Sequence, residues 1–157
     1  MNMYAIAIGA VIALAVVLLF KVWGLEETKW AYPVLLAEFP VNYWVFAIYG
    51  SDSAALLKEV LVGLAFLAVA YIAYKFKAFV TMLFLAFGYV MHAAYDLSHK
   101  LLFINAGAPT WWPEFCASVD VLIGAYIAYL SFSFRKRSVV TQLRTTRPYG
   151  SLPQMDK

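Results

Sequence analysis

The chain has 157 residues, of which 64% are hydrophobic, 18% aromatic and 13% charged, with a formal net charge of +3. The charged share is about half that of an average soluble domain, and a soluble domain this short still leaves about 30% of its unfolded-chain surface wet. Disorder, a disulfide scaffold and an ordinary cytosolic enzyme are therefore excluded, and a small helical membrane protein remains.

Taken in chain order, the first apolar run covers residues 3–23, close to the 20 residues a helix needs to cross a bilayer. No Lys or Arg precedes it and no small-residue cleavage site follows, which favours a retained span over a signal peptide. Residues 30–49 are aromatic and apolar but are broken by Pro33, Glu38, Pro40 and Asn42. A span there would carry a carboxylate and two prolines, so this stretch is expected to lie in the interface, over the outer mouth of the bundle. Three further spans follow at 53–75, 78–103 and 112–134. Ser51, Asp52 and Ser53 are capping types ahead of the first of these, and Pro113 falls in the first turn of the last, where its missing N–H costs little.

The expected fold is thus all-α: an integral, multi-pass four-helix bundle with an interfacial segment between helices 1 and 2. Residues 1–137 form one transmembrane domain and 138–157 a cytoplasmic tail, which has no apolar period and is expected to be extended or partner-bound. Lys75, Lys77, Arg135, Lys136 and Arg137 gather at one side, which the positive-inside rule assigns to the cytoplasm. Four crossings bring the N-terminus to that side as well. Trp30, Trp44, Trp111 and Trp112 then form an outer aromatic belt. The Arg135-Lys136-Arg137 run reads as an anchor at anionic headgroups. No basic patch with interleaved aromatics suggests nucleic acid as a partner.

Ionisable residues inside spans are rare because each costs about 2.5–3.5 kcal/mol on insertion scales. Here they concentrate. His92, Asp96 and His99 stand at i, i+4 and i+7, within about 60° of one helix face, and Tyr89 and Tyr95 flank it. Asp120 lies on the last span and Glu59 on the second. Counted at 1.5 Å per residue, Glu59, Asp96 and Asp120 lie about 9–12 Å below the outer ends and His92 about 16 Å. Small residues on the same faces (Ala55, Gly63 and Ala70; Cys116, Ala117, Gly124 and Ser131) allow close approach of helices or room for a ligand.

Two imidazoles and two carboxylates on adjacent helices are a donor set for a divalent metal: zinc, iron or manganese. His92, Asp96 and Asp120 are the expected ligands, with His99 a fourth ligand or a base behind them, and Glu59 the general acid/base. His99 and Glu59 are thus the expected catalytic pair. Haem is disfavoured, since His92 and His99 are about 10 Å apart along one helix. Cys116 reads first as a packing residue. Nucleotide-binding, hydrolase and zinc-protease signatures are absent.

The function these residues suggest is a metal-dependent membrane enzyme acting on a small apolar or lipid-like substrate. Three readings compete with it: a buried hydrogen-bond network in an accessory subunit of a larger membrane complex, a proton or metal carrier, and a metal-free acid–base site. A homo-oligomer fits any of them. An enzyme requires a pocket reaching the cluster, a subunit a free small-residue face such as Gly9 and Ala13, and a carrier a polar path continuing inward.

Overall fold

The computed structural model describes residues 1–76 and 78–145. Among the described residues it is all-helical: α1 (Met3–Val22), α2 (Ala31–Tyr49), α3 (Ser53–Lys75), α4 (Phe79–Leu102) and α5 (Trp112–Thr145), with a single 3₁₀ turn at Leu25–Glu27. All five helices are long and apolar enough to cross a membrane. Polar caps fix several starts. Asn2 Oδ1 accepts from the Ala5 amide at 3.1 Å, Asp52 accepts from the Ala55 amide at 2.9 Å, and Thr81 Oγ1 accepts from the Ala78 amide at 2.9 Å.

The segment 30–49 corrects the expectation of four helices and an interfacial segment. It is the continuous helix α2, and its prolines explain how. Pro33 lies in the first turn, where a backbone N–H has no helical partner, so only Pro40 interrupts the ladder. Neighbouring helices can offset such a loss inside a bundle. Glu38 is held on the helix itself, accepting from Asn42 Nδ2 at 2.8 Å. The buried residues Tyr32, Leu36, Phe39, Tyr43 and Ala47 recur at helical spacing and turn one side of α2 into the bundle.

α2 and α3 form a hairpin through Gly50, Ser51 and Asp52, in which Ser51 takes the left-handed conformation at φ 53°. Gly50 packs on Gly107, so this turn and the loop before α5 lie at one end of the bundle. The start of α1 joins them there, since Asn2 and Tyr4 border Trp111 and Phe115. At the other end the 3₁₀ turn reaches α5, where the Tyr126 hydroxyl donates to Glu26 at 2.7 Å, and Phe20 packs on Tyr32 with ring centroids 5.1 Å apart. α1 therefore runs parallel to α5, and the described ends of the chain lie at opposite ends of the bundle. The expectation that both termini share a side depended on an even number of crossings.

Three further expectations change. Trp30 opens α2, at the opposite end from Trp111 and Trp112, while the Trp44 indole is turned inward and donates to the Glu59 carbonyl at 2.9 Å. The four tryptophans are not one belt. Residues 138–145 continue α5 rather than beginning an extended tail, and 146–157 lie outside the described residues. The small-residue face of α1 is already used within the chain. Ala5, Gly9 and Ala13 are buried, and a Cβ at Gly9 would stand 2.5 Å from the Phe115 carbonyl oxygen on α5.

α4 and α5 are the most intimate pair. At Gly124 an added Cβ would come within 3.1 Å of both the Ala86 carbonyl oxygen and Tyr89 Cβ, so glycine there sets the separation of the two helices. The apolar core runs beside them through Leu36, Phe39, Leu85, Tyr89, Ile123 and Ile127.

Candidate metal centre and its neighbouring carboxylate–histidine pair

His92 and Asp96 are one turn apart on α4, and Asp120 faces them from the first half of α5. All three are buried, as residues this costly in an apolar core must be if they are to meet partners. His92 Nδ1 lies 2.8 Å from Asp120 Oδ2 and 3.4 Å from Asp96 Oδ2. One ligand atom from each residue falls within 4.8 Å of the others, a group that could hold a metal ion. A closed shell with bonds of about 2.0–2.2 Å needs donors about 3–4 Å apart, somewhat closer than the limit of 4.8 Å that encloses this group.

Three atoms of this group lack a hydrogen-bond partner among the described residues: His92 Nε2, Asp96 Oδ2 and Asp120 Oδ1. An unsatisfied buried polar atom costs about 1–3 kcal/mol. One nitrogen and two carboxylates suit zinc, iron or manganese, and three protein donors leave a coordination position open. The walls are aromatic. Phe66 meets the His92 ring edge-on at 4.7 Å and Phe39 lies at 5.7 Å. They keep the ring in one orientation and water away from it.

Glu59 and His99 form a second group. Glu59 Oε1 lies 2.7 Å from His99 Nε2 and accepts from Asn105 Nδ2 at 3.0 Å, while Oε2 accepts from the Tyr95 hydroxyl at 2.5 Å. The carboxylate is buried at 2% exposure, yet both oxygens are satisfied. His99 is thus placed with Glu59 and outside the group formed by His92, Asp96 and Asp120. The register explains this: at i+7 from His92 it is about 10 Å further along α4, level with the loop.

Tyr43 joins the two groups. Its hydroxyl donates to Asp96 Oδ1 at 2.8 Å, and its ring stacks on His99 with centroids 4.5 Å apart. Asn105 donates to the Tyr43 carbonyl at 3.1 Å as well as to Glu59, tying the loop before α5 to α2 and α3. Both residues escaped the sequence reading. Tyr43 lay in the segment taken as interfacial, and its only signal was the helical spacing from Tyr32 through Leu36 and Phe39. Asn105 carries no signal in the sequence beyond being a turn-forming residue type. Of the two tyrosines flanking α4, Tyr95 does donate to the site, whereas Tyr89 donates to the Tyr32 carbonyl at 2.7 Å. Cys116 is buried and free.

A pocket of about 340 Å³ opens at the loop end, and His99, Lys100, Phe103, Asn105 and Pro113 are among its walls. It reaches His99, whose Nε2 is paired with Glu59. Lys100 Nζ donates to the Thr110 carbonyl at 2.8 Å on its rim, and Lys58 Nζ stands 5.3 Å above the Phe103 ring. The chain matches no protein-family model, no curated protein and no solved structure.

Proposed function

We propose that the chain is a five-span membrane enzyme that holds a divalent transition metal at His92, Asp96 and Asp120 and handles protons at Glu59 and His99, acting on a lipid-like substrate. The observation that carries the reading is the buried group from α4 and α5, with three donors close together and one atom of each residue left without a hydrogen bond. A divalent ion held by these three residues would supply Lewis-acid chemistry there. Tyr43 fixes the Asp96 carboxylate, as partners behind a ligand do. His99 lines the pocket, where it can exchange a proton with a substrate oxygen while Glu59 behind it, held by Tyr95 and Asn105, orients the ring. The apolar walls of the pocket suit acyl or isoprenoid carbon, and Lys58 and Lys100 suit headgroup oxygens.

Five crossings also distribute the basic residues better than four. Lys21 and Lys29 join Lys75, Arg135 and Lys136 at one end, which makes that end cytoplasmic. The start of α1 and the pocket then face the outside.

A second reading has its own support. The 2.8 Å between His92 Nδ1 and Asp120 Oδ2 is an ordinary charge-assisted hydrogen bond, as expected of a metal-free network that locks α4 to α5. Elemental analysis of the detergent-purified protein separates the two. About one zinc, iron or manganese per chain is expected. It should be lost in Asp120→Asn and kept in Glu59→Gln. Protein without metal after purification and metal supplementation would leave the network reading in place.

A further inference from the structure

α4 and α5 lie antiparallel, in a register fixed by contacts along their length. Phe79 packs on Phe132 with ring centroids 5.4 Å apart, a Cβ at Gly124 would come within 3.1 Å of Tyr89 Cβ, and His92 Nδ1 lies 2.8 Å from Asp120 Oδ2. Each step forward along α4 is thus matched by an equal step back along α5. One turn after His92 stands Asp96, and one turn before Asp120 stands Cys116. The register sets Cys116 opposite Asp96, just as it sets Asp120 opposite His92. Asp96 and Cys116 are closed off from solvent, at 1% and 0% exposure. The carboxylates of Asp96 and Asp120 both act electrostatically on the Cys116 thiol.

Two residues one turn apart on each of two facing helices put four side chains around one space, which is how helical bundles hold metal ions in their cores. At three of these corners a fully buried atom has no hydrogen-bond partner among the described residues: His92 Nε2, Asp96 Oδ2 and Asp120 Oδ1. Tyr43 occupies Asp96 Oδ1, so Oδ2 is the oxygen left over for an ion. Three donors leave one position of a tetrahedral shell to be filled. The group of three within 4.8 Å does not include Cys116. A single torsion, χ1, carries its sulfur between the two staggered positions a helix allows, with no movement of α5. A zinc–sulfur bond of about 2.3 Å also reaches further than one to nitrogen or oxygen.

We propose that Cys116 is the fourth ligand of the ion held by His92, Asp96 and Asp120, and that its thiolate makes that ion zinc or iron rather than manganese. This rests on the reading of the three residues as a metal centre. A thiolate is a soft donor that suits zinc and iron, whereas manganese is held by carboxylate, carbonyl and water. Ligation releases the thiol proton to the medium. Cys116 then has a chemical task beyond the filling of a small apolar space, which alanine would serve as well. With the fourth position filled from within the chain, the ion ties both turns of α5 to both turns of α4.

The test is titration of the full chain, purified in detergent, stripped with a chelator and kept in thiol-free buffer, with cobalt(II) as a spectroscopic substitute for zinc. The sequence has one cysteine, so a thiolate-to-cobalt charge-transfer band in the near ultraviolet reports on Cys116 alone. The band should grow to saturation at about one cobalt per chain. Cys116→Ser and Cys116→Ala should abolish it and bind cobalt more than about 100-fold more weakly, a larger loss than that of a partner behind a ligand. Cobalt bound to the unsubstituted chain without the charge-transfer band overturns Cys116 as a ligand and leaves the three-residue centre standing. So does a Cys116→Ala chain that binds cobalt as tightly as its parent. A folded chain that binds no cobalt overturns the metal centre itself. The band of the unsubstituted chain decides the question even if both variants fail to fold.

Discussion

At the scale of single residues, the site depends on groups that hold one another. Asp120 is the partner of a buried imidazole, and removing one member of a buried charged pair costs about 3–5 kcal/mol because the other is left uncompensated. Asp120→Ala should therefore lower thermal stability and bound metal together, read by a melting curve and by metal content on one sample. His99→Ala should keep the metal, because His99 pairs with Glu59. Equal loss of metal from the two variants would mean one shared site and would contradict the division seen here. Tyr43 offers a finer test. Tyr43→Phe keeps the stack on His99 and deletes only the hydroxyl that donates to Asp96. Metal affinity should fall about 10–100-fold, as when a partner behind a ligand is lost, measured by competition with a chelating dye. An unchanged affinity would show that Asp96 does not need Tyr43 for its orientation.

At the scale of elements, small residues decide which helices meet. Gly124 sits one turn after Asp120, where α5 touches the α4 backbone. Gly124→Leu should push α4 and α5 apart, costing about 1–3 kcal/mol as overpacking does, and should carry Asp120 away from His92. Gly9→Leu should displace α1 from α5 at a comparable cost, yet retain bound metal, because α1 contributes nothing to the site. Metal content per folded chain distinguishes these variants, and loss in both would mean that the site depends on the whole bundle. The helix boundaries themselves were largely legible. The runs 3–23, 53–75 and 78–103 agree with α1, α3 and α4 to within one residue at each end. Uninterrupted apolar length marks such helices, and nothing in the surroundings changes it. α2 was not legible, because Pro40, Glu38 and Asn42 weigh against a span when judged alone. Their accommodation depends on the i,i+4 pairing of Glu38 with Asn42 and on packing against α3 and α4.

For the whole molecule, the fifth helix inverts the relation between the two ends of the chain. Thiols introduced at positions 28 and 76 should react from the cytoplasmic side and one at 107 from the outside. Labelling of 28 and 107 from the same side would remove α2 as a crossing and restore an even count. The same arrangement places the pocket beside His99 and Asn105 at the end of the bundle where the α2–α3 turn meets the loop before α5.

Composition and apolar run length alone determined that the chain is helical, with helices long and apolar enough to cross a membrane, since so apolar a chain of 157 residues has few polar groups to interrupt them. Periodicity on one helix determined that His92 and Asp96 share a face, because neighbours at i and i+4 are fixed by helical geometry. That Asp120 would meet them was an inference from depth, and it agrees with the 2.8 Å contact to His92. Only the tertiary structure decided that His99 belongs with Glu59, that Tyr43 and Asn105 complete the site, and that residues 30–49 form a helix in the bundle. Each of these rests on contacts between residues 15 or more positions apart. Such contacts are set by how helices rotate and slide against one another, which no local pattern of residues specifies.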